Sequence, residues 1–369
     1  MAHPLMGADL GTLARLAASH WPPPRRALGR LALAGLAALG RAPFTALEQG
    51  YVAWRRPART PRPVFIVGHW RSGTTHLYNL MSRDPRFGFV SPIATGLPWE
   101  FLTLGRALRP LLERALPKSR VIDRVAVRPD SPQEDEIALA SMQRLSFYHG
   151  LYFPSQLRAE FDRGVFFDGV SEAEIRRWAR RLQLLIKKLM LAQPGRELLI
   201  KNPVYTARVA RLARLYPEAR FIHIRRNPFE VFQSTRNFYR RLTPALAVEP
   251  VVMDPAEIDR LILETFPRLM HTVEAELGAL PPGRWSATSF EALERAPLDE
   301  LARIYGELAL PPFEPARAPI QAYLDGLGRY ERNAYGYPEA DNRRVAEAWA
   351  AFIEPYGYQP PLAAAPGPG

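Results

Sequence analysis

One short segment limits the folds open to this chain more than any other: a buried strand, a glycine-bounded loop and a helix in direct succession. Val64–Val67 (VFIV) is an apolar, β-branched run, typical of a strand covered on both faces of a parallel sheet. The loop at residues 68–75 (GHWRSGTT) follows, and a helical pattern extends from Thr74 to about Ser82. This order predicts one strand–helix unit of an α/β protein.

The same alternation recurs along the chain. Further strands are predicted at residues 197–200 (ELLI), 220–224 (RFIHI) and 284–289, with helices at about 207–216 and 228–241. We therefore expect an α/β fold, a phosphate-loop-like parallel sheet with helices on both faces, preceded by an N-terminal helical segment. The expected divisions are residues 1–60, 61–360 and a disordered Ala/Pro/Gly tail at 361–369.

Two helix starts carry capping signals. Ser131 followed by Pro132 and Glu134 predicts a capping box and a helix over residues 131–140. Ser171, in another Ser-x-x-Glu pattern, predicts the start of a long basic amphipathic helix ending near Ala192.

The N-terminal region contains one apolar helix candidate at residues 27–40, with Arg25 and Arg26 before it, Arg30 inside it and Arg41 after it. Its uninterrupted apolar stretch, residues 31–39, is far shorter than the roughly 20 residues that span a bilayer. Two interpretations stay open: the helix packs on the parent domain, or it lies in an anionic membrane interface with its arginines at the headgroups. Under the second interpretation, we hypothesise that residues 25–45 help to dock the protein at a membrane.

The net charge and the composition limit the classes of partner and the kinds of site that this chain can have. The formal net charge of +12 favours an anionic partner, such as nucleic acid, a membrane surface or a phosphorylated small molecule. The chain has no cysteine, which excludes disulfides, thiolate metal sites and cysteine nucleophiles. No secretory pattern opens the sequence, so a cytoplasmic location, or one peripheral to a membrane, is the expectation. Almost all the basic residues are arginines, and the lysines are Lys118, Lys187, Lys188 and Lys201.

The loop after the first strand has the G-x-x-x-x-G spacing of a phosphate cradle. Glycines let backbone amides approach an anion, and the following helix contributes its positive N-terminal dipole. A nucleoside-triphosphate loop would have lysine where Thr74 stands, so a kinase or hydrolase is disfavoured. The residues expected to hold the anion are Gly68, Arg71, Ser72, Gly73, Thr74 and Thr75.

A second anion site is indicated after the 220–224 strand. Arg226 comes just past the strand, and Ser234 lies two turns into the helix that Pro228 begins. A guanidinium fork and a hydroxyl together hold a phosphate well.

With these motifs the sequence resembles the sulfotransferase superfamily, and most closely its bacterial members. The resemblance rests on residues 63–75 for a 5′-phosphosulfate loop, on Arg226 and Ser234 for a 3′-phosphate site, and on the segments 128–136 and 198–203. Weaker likeness extends to residues 285–293 and 330–337. The resemblance implies 3′-phosphoadenosine-5′-phosphosulfate (PAPS) as co-substrate, and no metal if arginine and lysine supply the positive charge.

The resemblance also implies catalytic roles. Arg71 matches the loop cation that contacts the phosphosulfate, and Lys201 is the second cation, at the end of the ELLI strand. Many cytosolic members place a histidine two residues after this lysine, where this chain has Pro203, so the base that takes the acceptor's proton must come from elsewhere. We predict Asp135 or Glu136. The remaining candidates are Glu134, Glu100 and His149.

The expected reaction is sulfuryl transfer to a hydroxyl or amine of a small or lipid-like acceptor. A phosphate-loop kinase or nucleotidase is one alternative, and would need a magnesium carboxylate at a strand end. A basic nucleic-acid-binding protein is another, but the arginines are dispersed rather than clustered with aromatics. Aromatic residues expected to line an apolar acceptor site are Trp70, Trp99, Phe147, Tyr148 and Phe153.

Overall fold

The structure, a computed structural model of the 369-residue chain, describes residues 3–20, 25–114, 128–251, 253–327 and 335–361. The tail predicted at residues 361–369 lies outside these ranges except for its first residue. Five parallel strands form one sheet in the order β2-β3-β1-β4-β5. Their bounds are β1 Val64–Val67, β2 Phe87–Gly88, β3 Glu197–Lys201, β4 Arg220–Arg225 and β5 Trp285–Ser289.

Helices surround this sheet. The α-helices are α1 Leu10–Ser19, α2 Arg25–Trp54, α3 Thr74–Met81, α4 Pro92–Gly96, α5 Leu104–Ala107, α6 Arg109–Arg114, α7 Asp135–Ala140, α8 Tyr148–Tyr152, α9 Leu157–Phe161, α10 Glu172–Ala192, α11 Val209–Leu215, α12 Pro228–Leu246, α13 Pro255–Gly278, α14 Phe290–Arg295, α15 Pro297–Glu307, α16 Glu314–Asp325 and α17 Glu339–Ile353. Short 3-10 turns lie at Pro4–Gly7, Pro154–Gln156, Pro203–Ala207 and Glu354–Tyr356, and a π turn at Asp162–Phe166.

The central strand β1 shows why the sheet is covered on both sides. Its four residues are all fully buried, and they alternate between two separate hydrophobic clusters. Phe65 and Val67 belong to the larger cluster, whereas Val64 and Ile66 belong to the smaller one on the opposite face. Burying each such side chain contributes about 1.5–3 kcal/mol. The predicted α/β fold, with helices on both faces of a parallel sheet, is confirmed.

Helix α2 is longer than predicted, because it continues past Arg41 to Trp54. Arg41 does not end the helix: it points inward and pairs with Glu100 at 2.7 Å. About two turns later Glu48, also buried, pairs with Lys188 at 2.7 Å. The inner face of α2 therefore packs on the rest of the chain. Within the described ranges, no helix has the length and hydropathy needed to cross a membrane.

The predicted capping box at Ser131 is wrong. The helix begins later, at Asp135, with Glu134 as a capping residue whose side chain makes no cap hydrogen bond. The hydroxyl of Ser131 instead accepts from the backbone N–H of Arg128, and the carboxylate of Glu134 is drawn to Lys201. The second predicted box is confirmed: Ser171 and Glu174 cap α10 reciprocally.

Candidate functional site

The loop at residues 68–75 leaves the carboxyl end of β1, between β3 and β4. Gly68 and Gly73 have φ angles of 152° and 92°, a region in which side chains are strained. A Cβ on Gly68 would also collide with the carbonyl oxygen of Ile224, and one on Gly73 would lie 2.5 Å from the ring of Phe290. Only glycine therefore fits at these two positions, which bring the loop backbone tightly against its neighbours.

Arg71 joins this loop to the second predicted anion site. Its backbone is also left-handed, with φ of 70°, which is unusual for a residue with a side chain. Its Nε donates to the Oγ of Ser234 on α12 at 2.9 Å. The hydroxyl of Tyr335 lies 3.2 Å from the same Ser234 oxygen. The predicted 5′ and 3′ anion sites are therefore neighbours in the fold.

Arg226 follows the carboxyl end of β4. Its Nη1 donates to the backbone oxygen of Arg71 at 3.2 Å, and its Nη2 binds the carboxylate of Glu230. The guanidinium carbon lies 4.3 Å from the centre of the Phe290 ring. Its Nε is buried and has no hydrogen-bond partner within the described ranges. A buried donor of this kind is suited to an anionic ligand.

Lys201 ends β3 and is 2 % exposed. Its Nζ donates to Oγ1 of Thr75 at 3.2 Å, and it also pairs with the carboxylate of Glu134. One ammonium group therefore contacts both the loop and an acidic side chain. Because Glu134 is the more exposed partner, with 17 % of its side chain accessible, its carboxylate can be reached from outside.

Asp135 and Glu136, the two predicted bases, face a buried hydrogen-bond network instead of Lys201. Asp135 accepts from Asn202 Nδ2 at 2.9 Å and from the hydroxyl of Tyr205. Glu136 accepts from the same Asn202 nitrogen at 2.9 Å and from Ser146 Oγ at 2.7 Å. The assignment of the base to Asp135 or Glu136 stays a prediction, and this placement does not favour it.

Burial dominates the electrostatics of this pair. It raises the pKa of Asp135 to about 7, although the hydrogen bonds from Tyr205 and Asn202 act in the opposite direction. Burial also raises the pKa of Glu136, and the nearby Arg208 guanidinium offsets part of that rise. Arg208 is itself buried, which lowers its pKa to about 10.

Two of the remaining base candidates, Glu100 and His149, have structural roles. Glu100 is held by Arg41 at the inner face of α2. The ring nitrogens of His149 lie 2.8 and 3.0 Å from two backbone oxygens, and burial lowers its pKa to about 4. In the described ranges no group of three or more His, Asp or Glu side chains is arranged to hold a metal ion.

Sequence reasoning missed several residues of the site. Thr206 exchanges hydrogen bonds with the backbone of Gly68 at 2.8 and 3.0 Å, and no motif pointed to it. Asn202, which bridges Asp135 and Glu136, stands inside the Lys-Asn-Pro segment that carried the resemblance. Phe290 and Tyr335 come from the two segments of weaker likeness, so a signal for both was present in the sequence.

The expected aromatic residues are buried rather than arranged along an open wall. Trp70, in the loop, packs against Phe147 and Phe161 with ring centres 4.8 and 5.6 Å apart. Trp99 donates its indole N–H to the backbone oxygen of Ser141 and belongs to the core.

The structure is an α/β protein whose predicted anion cradle lies at the carboxyl edge of a parallel sheet, the edge where ligands of such folds bind. Residues 63–315 match the sequence profile of the sulfotransferase family. The chain belongs to this family and is a sulfotransferase. The family takes its sulfuryl group from PAPS.

A relative agrees with this assignment, and two solved structures agree with the fold. Omega-hydroxy-beta-dihydromenaquinone-9 sulfotransferase Stf3 from Mycobacterium tuberculosis is 29% identical over 315 residues, covering 85% of this chain and 80% of the relative. The crystal structure of sulfotransferase STF9 from Mycobacterium avium superposes with a TM-score of 0.65 at 17% identity, covering 87% of this chain and 83% of the other. For STF1 from Mycobacterium tuberculosis the TM-score is 0.64 at 18% identity, covering 93% and 91%. These two structures support the fold.

Proposed function

We propose that this sulfotransferase binds PAPS across the loop at residues 68–75 and the Arg226–Ser234 pair, and transfers the sulfuryl group to a hydroxyl of a lipid-like acceptor. The observation that carries the proposal is the position of the Lys201 ammonium group. It contacts Thr75 of the loop on one side and Glu134 on the other. The loop proposed to hold PAPS, the Lys201 ammonium group and the Glu134 carboxylate are thus neighbours.

In this proposal the loop amides, with Ser72, Thr74 and Thr75, hold the 5′-phosphosulfate. Arg226 and Ser234 hold the 3′-phosphate, for which the buried Nε of Arg226 is a suitable donor. Arg71 lies between the two sites because its side chain reaches Ser234. An adenosine nucleotide that lacks the 3′-phosphate would lose the second set of contacts.

For the proton step we propose Glu134 rather than Asp135 or Glu136. Glu134 takes the proton of the acceptor hydroxyl as the acceptor oxygen forms its bond to sulfur and the bond from sulfur to the phosphate oxygen breaks. Lys201 stabilises the negative charge on the departing 3′-phosphoadenosine-5′-phosphate (PAP). Asp135 and Glu136 serve a positioning role, since both accept from Asn202, the residue after Lys201.

A lipid-like acceptor is supported by a relative and not by the aromatic cluster of Trp70, Phe147 and Phe161, which is buried in the core. The name of the relative Stf3 states a hydroxylated menaquinone derivative as its acceptor. The proposed acceptor class is therefore a hydroxyl carried on a long apolar chain.

The test combines binding and turnover. Calorimetry should show PAP bound far more tightly than ATP, because ATP lacks the 3′-phosphate. Labelled PAPS should then sulfate a long-chain prenol in detergent much faster than a short alcohol of the same hydroxyl type. Equal affinity for ATP would refute the donor site and favour the kinase alternative. Equal rates for both alcohols would refute the lipid-like acceptor.

A further inference from the structure

Helix α2 carries apolar side chains on both faces, and those on its buried face are Ala27, Ala34, Ala38 and Val52. Between residues 31 and 54 its charged residues are Arg41 and Glu48, and both point inward, where they pair with Glu100 and Lys188. The outer face carries large apolar side chains. Those exposed by 36% or more are Leu28, Leu33, Leu36, Leu39, Phe44, Leu47, Tyr51 and Trp54. We call these eight residues the α2 outer face.

An exposed apolar surface of this length is uncommon on a monomeric protein and indicates a binding surface. The helix has 30 residues and is about 45 Å long at 1.5 Å per residue. Trp54 at its end is 79% exposed. Leu111 on α6 adds a further apolar side chain, 63% exposed, and the segment leading to α6 is held to α2 by the bond from Thr103 N–H to Glu48 at 2.8 Å.

Basic residues stand at both ends of the α2 outer face. Arg25 and Arg30 are exposed at the first turns of the helix, and Arg55 and Arg56 are exposed directly after its end. The helix contains one carboxylate, Glu48, which is fully buried. The surface is therefore apolar along its length and positive at its ends, which is the pattern of helices that lie in the plane of an anionic membrane.

The charge pattern also argues against a second copy of this chain as the occupant. Two α2 helices packed face to face, parallel or antiparallel, would align arginine with arginine at each end. Like charges brought together oppose such an association. Insertion across a bilayer is excluded as well, because the inner face is bound to the protein by buried ion pairs.

We propose that the α2 outer face docks this enzyme on the surface of an anionic phospholipid bilayer, with α2 lying in the interface. Leucine, phenylalanine and tryptophan side chains enter the headgroup–acyl boundary, and the arginines at the two ends bind lipid phosphates. The biological reason for such docking rests on the proposed function, in which the acceptor is lipid-like. The experiment that tests docking does not depend on the acceptor, because it measures membrane binding without turnover.

Flotation of the full-length protein tests the proposal, with vesicles of equal parts phosphatidylcholine and phosphatidylglycerol, and with phosphatidylcholine alone. We expect flotation with the anionic vesicles and much less with the neutral ones. Leu36→Asp/Leu47→Asp should abolish it. Arg55→Gln/Arg56→Gln should lower the partition coefficient by about 25-fold, since each arginine at an anionic surface contributes about fivefold.

Two control variants carry the same kinds of substitution elsewhere, one leucine to aspartate in the first and two arginines to glutamine in the second. Leu327→Asp alters an exposed leucine near the end of α16, and Arg176→Gln/Arg180→Gln removes two exposed charges from α10. Both should float like the unchanged protein. Circular dichroism and PAP binding should be the same for all variants, because the altered side chains are exposed and outside the donor site. Should the double aspartate variant unfold, Trp54→Ser takes its place, since Trp54 is almost fully exposed.

Absence of flotation with anionic vesicles would overturn the proposal. Flotation that the α2 variants leave unchanged would overturn it too, because another surface would then be responsible. A dimer in sedimentation that Leu36→Asp/Leu47→Asp converts to monomer would assign the α2 outer face to a second copy instead. Failure of PAP binding would refute the proposed donor site without touching this result.

Discussion

The Nε atom of Arg71 donates a hydrogen bond of 2.9 Å to Oγ of Ser234, a residue 163 positions further along the chain. This bond ties the loop after β1 to helix α12. Arg226 adds a second tie by donating to the backbone oxygen of Arg71. A displacement of either predicted anion site would therefore also displace the other. In the proposed function this couples recognition of the two ends of a 3′-phosphoadenosine nucleotide.

Arg226→Ala should weaken PAP binding by about 1.5–3 kcal/mol, the range for hydrogen bonds to charged groups. ATP binding should change much less, since Arg226 is proposed to contact the 3′-phosphate. Isothermal calorimetry with both nucleotides measures the difference. Arg240→Ala, an exposed arginine further along α12, is the matched control. An equal loss for PAP and ATP would contradict the proposed role.

Lys201→Ala should lower turnover by about 10²–10³ and change the affinity for PAP less than about tenfold. The reason is that its ammonium group is proposed to act chiefly on charge that develops in the transition state. Single-turnover kinetics and calorimetry separate the two quantities. Lys187→Ala, on α10, controls for loss of one positive charge. Normal turnover in Lys201→Ala would make its pair with Glu134 purely structural.

Glu134→Gln should lower turnover by about 10²–10⁴, the usual contribution of a general base, with little change in melting temperature. Asp135→Asn and Glu136→Gln should lower melting temperature more and turnover less, because these carboxylates lie in the buried network. Comparing all three variants distinguishes the roles. If Asp135→Asn or Glu136→Gln lost activity at an unchanged melting temperature, that residue would be the base, as the sequence indicated.

Asp135 should make stability fall as pH rises from about 4 to about 7. Burial raises the pKa of this carboxyl to about 7, so the folded state binds the proton more tightly than the unfolded state over that interval. Asp135→Asn removes this dependence, and its stability relative to the unchanged protein should rise with pH across the same window. Urea unfolding at several pH values measures it.

Gly73→Ala should impair both PAP binding and stability, because the new Cβ would lie 2.5 Å from the ring of Phe290. Gly169→Ala is a matched control. Its φ is also positive, at 62°, but no atom stands within 4 Å of the added carbon. The control should show the backbone strain alone, about 1 kcal/mol, with unchanged PAP binding. Loss of PAP binding in both variants would mean that the loop is not the specific target.

Strands β1, β3 and β4 were predictable because each is an apolar run that ends in a glycine or Asn-Pro signal. Strand β2 was not, since Phe87–Gly88 is too short to show any periodicity. Because the strands were predicted to be parallel, their carboxyl ends were expected at one edge of the sheet. Gly68, Lys201 and Arg226 stand at the ends of three strands, so they were expected to lie close together. Local patterns could place the site to this extent.

The turn that contains Glu134, Asp135 and Glu136 shows where prediction from local sequence patterns fails. Ser131 and Glu134 have the spacing of a capping box, yet Glu134 pairs with Lys201, 67 positions away. A charged partner in a partly buried site outweighs a cap worth about 1 kcal/mol. Which of three consecutive carboxylates meets the lysine depends on the backbone turn, and no spacing in the sequence specifies that turn. The end of α2 was missed for a similar reason, because Arg41 forms a long-range ion pair.

The two inward-facing ion pairs of α2 bear on how this enzyme can be shortened. A chain lacking its first 60 residues would leave Glu100 and Lys188 without Arg41 and Glu48, the partners with which they are buried. It would also expose to water the part of the larger hydrophobic cluster that contains Ala34, Ala38 and Val52 of α2, and a protein stays folded by a margin of only about 5–15 kcal/mol. The N-terminal helix is thus a part of the folded enzyme, and its removal should destabilise the rest of the chain. Because α2 is packed on the catalytic domain, binding of α2 to any surface also holds the catalytic residues at that surface.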